Sequence, residues 1–133
     1  MLKIEHLGIA VKSIEASNDL FTKLLSKAPY KMEAVESEGV MTSFFMTGDS
    51  KIELLEATNP ESPIAKFIEK KGEGIHHIAF EVSDIVAEMK RLQAEGFVLL
   101  SQQPKKGADN KLICFLHPKN TNGVLIELCQ EIR

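Results

Sequence analysis

Nearly the same strand is written twice in this chain, as "KIEHLGIAVKSI" at residues 3–14 and as "GIHHIAFEVSDI" at residues 74–85. Aligned, His77 falls on His6, Ile78 on Leu7, Ala79 on Gly8, Val82 on Val11 and Ile85 on Ile14. The ends of the two halves also correspond: "KIELLE" lies over "LIELCQ", so Glu53 falls on Glu127. A solenoid needs more repeats than two, so a duplication at this scale points to two modules combined in one domain. With 133 residues the chain suits one compact domain that can bury a core without disulfides or a structural metal.

The order of elements repeats as well. Residues 2–11 are rich in Leu, Ile and Val and read as a strand. Ser13 can cap a helix with Ile14, Phe21, Leu24, Leu25 and Ala28 on one face, stopped by Pro29. "YKMEAVES" and "VMTSFFMTG" read as strands joined around Glu38 and Gly39, and "KIELLEA" follows a tight turn as a third. A linker over about residues 59–73 starts a helix at Ser62 and Pro63, with Ile64, Phe67 and Ile68 as its apolar stripe. Residues 75–82 form the second copy's first strand. Asp84 caps a helix bearing Ile85, Met89 and Leu92 and closed by Gly96. "FVLLSQ", "KLICFLH" and "GVLIELCQ" read as three strands, with "PKNTNG" as a loop before the last. The expectation is an α+β domain over residues 1–133: a βαβββ module at about 1–58, the linker helix, and a second βαβββ module at about 74–133.

Strand alternation sorts the polar residues. His6 shares a face with Ile4, Gly8 and Ala10, and His77 with Ala79, while Leu7, Ile9, Val11, Ile78, Phe80 and Val82 point the other way. Glu53 opposes Ile52 and Leu54, and Glu127 opposes Ile126 and Leu128. Each module therefore offers one His on its first strand and one Glu on its last, both away from the most hydrophobic stripe. Two carboxylates buried near each other are costly without a positive partner. A divalent cation supplies one, and mixed imidazole and carboxylate ligation suits zinc, cobalt, nickel, manganese or iron better than magnesium or calcium. Four protein ligands leave open positions in an octahedral shell, an arrangement suited to catalysis. Any one of these residues alone reads as an ordinary core or solvated side chain; recurrence at matching places in both halves singles the set out. His76 falls on Glu5, points to the opposite face from His77, and reads as structural.

The remaining composition narrows the function. A net charge of −3 gives no broad basic footprint for nucleic acid or anionic membrane. No apolar run approaches a membrane span, and "MLKIEHLGIAV" is too short and too soon polar for a secretory signal. Cys114 and Cys129 lie in apolar strand-like runs and read as free buried thiols of a reducing, cytoplasmic compartment. No C-x-x-C pair is present for a zinc-finger site.

The stretches "IEHLGIAV", "KIELLE", "GIHHIAFEV" and "HPKNTNGVLIEL", with the linker "SPIAKFIEKKGEG", resemble the vicinal oxygen chelate superfamily over essentially the whole chain. Within it they resemble the methylmalonyl-CoA epimerase family. The resemblance implies an open, barrel-like mixed sheet built by the two modules around a metal-binding cavity, and a homodimer. It implies a divalent metal, cobalt first and otherwise zinc, manganese or nickel, on His6, Glu53, His77 and Glu127. It also implies an acyl-CoA thioester substrate, whose (R) and (S) forms of methylmalonyl-CoA are interconverted through an enolate, with Glu127 as one acid/base. Some family members carry a second Glu three residues after the Gly of the strand-joining turn. Counting from Gly39, that place is Thr42 here, with Glu36, Glu38 or a water as substitutes. Lys119, Lys105 and Lys106 can meet CoA phosphates or simply be solvated. Two other functions stay open: a glyoxalase-type lactoylglutathione lyase using the same proton chemistry, and a metal-free small-molecule-binding protein, which has no need of the four candidate ligands.

Overall fold

The computed structural model describes residues 1–133. Its strands are β1 (Lys3–Ala10), β2 (Lys31–Val35), β3 (Val40–Thr47), β4 (Ser50–Ala57), β5 (Gly74–Glu81), β6 (Lys105–Lys106), β7 (Lys111–Leu116) and β8 (Ile126–Glu131). Its helices are α1 (Ile14–Leu25), α2 (Pro63–Lys71) and α3 (Ile85–Ala94). The three helices and the mixed strand pairing make the fold α+β. The chain divides into two compact units, residues 6–76 and residues 1–5 together with 77–133.

In the unit of residues 6–76 the strands lie in the order β2, β3, β4, β1, with β4 and β1 parallel and the other pairs antiparallel. α1 covers one face, where Ile14, Phe21 and Leu25 pack on Ile9, Phe45, Ile52 and Leu54. Phe45 and Leu54 are fully buried there, each worth roughly 1.5–3 kcal/mol by removal of apolar surface from water. α2 covers one end of the opposite face, where Ile64, Phe67 and Ile68 pack on Ala10, Val35, Val40 and Leu55. Its start follows the sequence reading: the Ser62 hydroxyl accepts from the Ile64 N–H at 3.1 Å, with Pro63 at the first helical position. The turn into β3 requires glycine at position 39. Its φ is +64°, and a Cβ there would meet Asn59 and Ser62 at 3.1 Å.

The other unit repeats this order as β6, β7, β8, β5, again with the last pair parallel. α3 packs Ile85, Met89 and Leu92 on Val82, Cys114, Leu116 and Leu128. The leading residues join the same unit, since the Leu2 N–H donates to the Glu81 carbonyl at 2.8 Å. The duplication extends to single hydrogen bonds. Ser13 accepts from the Ala16 N–H at 3.2 Å, and Asp84 from the Ala87 N–H at 3.1 Å. The Glu56 carboxylate holds the Ile14 N–H at 2.6 Å, and the Gln130 amide oxygen holds the Ile85 N–H at 2.7 Å. In both units a last-strand side chain thus satisfies an orphan donor at the helix start.

Three elements differ from the sequence expectation. α1 ends at Leu25, not at Pro29, because Ser26 takes the left-handed conformation, φ 58°; Leu24 is exposed, and the buried stripe is Ile14, Phe21 and Leu25. "FVLLSQ" is not a strand. Leu99 makes one isolated bridge to Leu116, the Leu100 N–H donates to Phe115, and the edge strand is instead Lys105–Lys106. The apolar residues Phe97 and Leu99 pack on the α3 cluster, so their hydrophobicity reports core burial, and Pro104 lacks the N–H a ladder needs. "GVLIELCQ" becomes strand only at Ile126, because Asn122 and Gly123 stay in the left-handed region, φ 57° and 81°. The loop before it contains a 3-10 turn over Pro118–Asn120.

Candidate active site

Each unit builds the same polar group on the sheet face opposite its first helix. In residues 6–76, Glu53 on β4 stands in register with Gly8 on β1 and Phe44 on β3. In the other unit, Glu127 on β8 stands in register with Ala79 on β5 and Phe115 on β7. Cross-strand partners share a face, so each carboxylate has a small residue on one side and a phenylalanine on the other. The small residue leaves space on the first strand, and the histidine two positions before it fills that space. His6 Nδ1 lies 3.0 Å from Glu53 Oε2, and His77 Nε2 lies 3.2 Å from Glu127 Oε1. The modules differ in which ring nitrogen faces its carboxylate.

These pairs are buried. His6, Glu53, His77 and Glu127 are between 4% and 5% exposed. Phe115 closes edge-on against His77, with centroids 5.7 Å apart and planes at 87°, a favourable aromatic geometry. Phe44 is fully buried and packs against Tyr30 at 5.8 Å. Imidazole and carboxylate donors of this kind suit a borderline divalent ion.

The structure brings together His6 with Glu53 and His77 with Glu127, as two pairs. The His76 ring stands edge-on to Phe67 of α2, with centroids 4.9 Å apart. Thr42 is buried, and its hydroxyl donates to the Glu33 carbonyl at 2.7 Å. Glu36 and Glu38 form the 3-10 turn between β2 and β3. Lys105 and Lys106 lie exposed on β6. Lys119 lies on the turn after β7, where its N–H donates to His117 Nδ1 at 3.0 Å. Cys114 and Cys129 are free, buried thiols. Burial pushes the Cys114 thiol up, against a weaker opposing pull from the Ser101 hydroxyl.

Three buried charged residues are not marked by the sequence pattern: Glu5, Lys51 and Lys111. Lys51 stands in register with His6. A signal for it does exist, since it precedes Glu53 by two positions and so shares its face.

Residues 5–115 match the family model of the Glyoxalase/Bleomycin resistance protein/Dioxygenase superfamily. An ethylmalonyl-CoA/methylmalonyl-CoA epimerase of Cereibacter sphaeroides is 42% identical over 130 residues, covering 96% of this chain and 97% of that protein. The mitochondrial methylmalonyl-CoA epimerase of Dictyostelium discoideum is 39% identical over 95% of this chain and 76% of its own length. The solved structure of a variant Streptomyces coelicolor methylmalonyl-CoA epimerase in complex with 2-nitronate-propionyl-CoA is 32% identical. It covers 100% of this chain and 99% of its own, with a TM-score of 0.94. The chain belongs to the Glyoxalase/Bleomycin resistance protein/Dioxygenase superfamily and, within it, to the methylmalonyl-CoA epimerase family.

Proposed function

We propose that this chain interconverts (R)- and (S)-methylmalonyl-CoA through an enolate, using a divalent metal held by His6, Glu53, His77 and Glu127. The observation that carries the reading is the pair His77 and Glu127, a buried carboxylate with an imidazole at 3.2 Å, repeated as His6 and Glu53 at 3.0 Å. Buried carboxylates of this kind weaken a fold unless a cation compensates them. Full-length likeness to epimerases at 42% identity supports the substrate.

The proton to be moved sits on a carbon flanked by a thioester and a carboxylate. When bound, the ion supplies a positive centre near the oxygen on which enolate charge develops. Glu127 takes the proton on one face, where its burial excludes bulk water and its contact with His77 fixes its orientation. Phe115, edge-on to that histidine, limits the rotation of both. A nitronate is a planar anion with its charge on oxygen, as an enolate is, so the ligand of the Streptomyces relative supports a planar carbanionic species for this chain too. The CoA thioester is the partner; a homodimer and a cytoplasmic setting complete the proposal.

The test is turnover by protein stripped of metal and then reloaded with cobalt. Reloading should restore epimerisation of methylmalonyl-CoA. Turnover of the methylglyoxal–glutathione adduct in place of the CoA thioester would move the chain to the glyoxalase-type lyases. Sedimentation at micromolar concentration should give twice the chain mass.

A further inference from the structure

Lysine is among the residues least often buried, and a buried ammonium is costly unless an anion or a set of acceptors meets it. Lys111, the first residue of β7, is 7% exposed. Its ammonium makes no ion pair and no hydrogen bond with any group of the protein. The carboxylate that strand register sets opposite it, Glu131, is 59% exposed and turns to Arg133 at 3.8 Å.

The duplication breaks at this position. Phe44 and Phe115 hold equivalent places, in register with Glu53 and Glu127. Four residues earlier on the same two strands stand Val40 and Lys111. Val40 belongs to an apolar cluster with Ala10, Leu55 and Ile64 of α2. The second copy keeps the phenylalanine, the helix cap and the His–Glu pair, yet exchanges that core valine for a cation. The exchange assigns the position a role in one copy that the other does not share.

Alternation puts Lys111, Ile113 and Phe115 on the face that carries Glu127, whereas Leu112, Cys114 and Leu116 pack toward α3. The hairpin that presents the lysine is fixed. The Gly107 N–H donates to the Lys111 carbonyl at 2.9 Å, and a Cβ at position 107 would meet Ile113 at 2.8 Å. At the tip, the Asn110 amide donates to the Ile132 carbonyl at 3.2 Å, and the Asn110 carbonyl accepts the Ile132 N–H at 3.1 Å. Lys111 is thus a preorganised donor with three N–H groups. Four residues of strand separate it from Phe115, about 13 Å, so its part is in binding and not in proton transfer at Glu127.

We propose that Lys111 is an oxyanion-binding residue for the acyl-CoA ligand, its ammonium receiving a phosphate of the CoA or the free carboxylate of the acyl group. The inference rests on the epimerase reading above, which supplies a ligand carrying both. The ammonium acts as a compact point charge toward either group, and hydrogen bonds between two charged partners are the strong ones. The charge that is uncompensated in the free protein is matched in the complex.

The test is calorimetric titration of metal-loaded Lys111→Met, with Lys106→Met as comparison; Lys106 pairs with Leu112 on the other face of the sheet and is exposed. Three ligands separate the sources: racemic methylmalonyl-CoA, propionyl-CoA, which keeps the phosphates and lacks the carboxylate, and methylmalonyl-pantetheine, which keeps the carboxylate and lacks the phosphates. Lys111→Met should weaken racemic methylmalonyl-CoA by about 10-fold or more. An equal loss with propionyl-CoA alone identifies a phosphate, and one with methylmalonyl-pantetheine alone identifies the carboxylate. Lys106→Met should bind all three as wild type does. The thermal midpoint of ligand-free Lys111→Met should not fall, because methionine keeps the apolar stem and removes a buried charge. Binding of all three ligands within about threefold of wild type, or equal losses on all three, would overturn the assignment. So would a lowered midpoint, which would give the lysine to the fold. A wild-type protein that binds none of the three would overturn the epimerase reading itself, and the inference with it.

Discussion

Neutralising one buried carboxylate should shift stability in opposite directions with and without metal. Glu53 is 5% exposed, and its carboxylate meets His6 Nδ1 at 3.0 Å. Glu53→Gln keeps the side-chain shape and a hydrogen bond to the imidazole while removing the buried charge. Without metal, the buried carboxylate has no cation beside it and costs at least as much as an unmet buried polar group, so removing its charge should stabilise the protein by about 1 kcal/mol. For a chain of this length, between the size classes usually compared, about 1 kcal/mol moves the thermal midpoint by about 4 °C. With free metal at about a hundred times its dissociation constant, the wild-type protein gains about 2.7 kcal/mol, or about 11 °C on the same scale. The amide is a weaker ligand, so the variant gains less and the order of midpoints inverts. Differential scanning fluorimetry of chelator-treated protein, with and without added cobalt, reads both values. A variant less stable than wild type under both conditions would refute the reasoning, because Glu53 would then be supporting the fold and not a cation.

The two neighbouring histidines should separate cleanly: His77→Ala should abolish tight metal binding by elemental analysis, whereas His76→Ala should retain it while losing the edge contact with Phe67. Ile85→Ala should cost about 2–5 kcal/mol in denaturant melts, because Ile85 is 1% exposed in the core of its unit. Cys114 should resist alkylation in the folded state, since burial raises its pKa and the reactive thiolate is suppressed. The folded chain then keeps this proton after the unfolded chain has lost it, so its contribution to stability is complete at neutral pH and falls as pH rises past the unfolded thiol value.

The repeat is legible in the sequence because alternation and helix capping are local. The strand carrying His6 and its twin carrying His77 can be read there, as can the helix starts at Ser13, Ser62 and Asp84. The pairings of His6 with Glu53 and of His77 with Glu127 come from the parallel registers of β1 with β4 and of β5 with β8, which the sequence does not mark. Other features depend on tertiary context. "FVLLSQ" has strand composition, but its apolar residues serve the α3 core, and the edge pairing passes to two lysines that nothing local marks as strand. The hairpin register that sets Glu33 beside Thr42 depends on the 3-10 turn that carries the chain through Glu36–Glu38. Lys51 and Lys111 read as surface charges because burial of a lysine depends on what the rest of the chain lays over it.

The most direct test of epimerisation at a buried acid/base centre is proton exchange at the substrate carbon. Pure (S)-methylmalonyl-CoA is incubated with metal-loaded protein in deuterium oxide and followed by proton magnetic resonance and chiral analysis. The C2 proton signal should disappear as the (R) form appears, both changes being abolished by chelator and restored by cobalt. A C2 proton that persists with metal bound, or exchange that is indifferent to metal, would contradict the proposed chemistry.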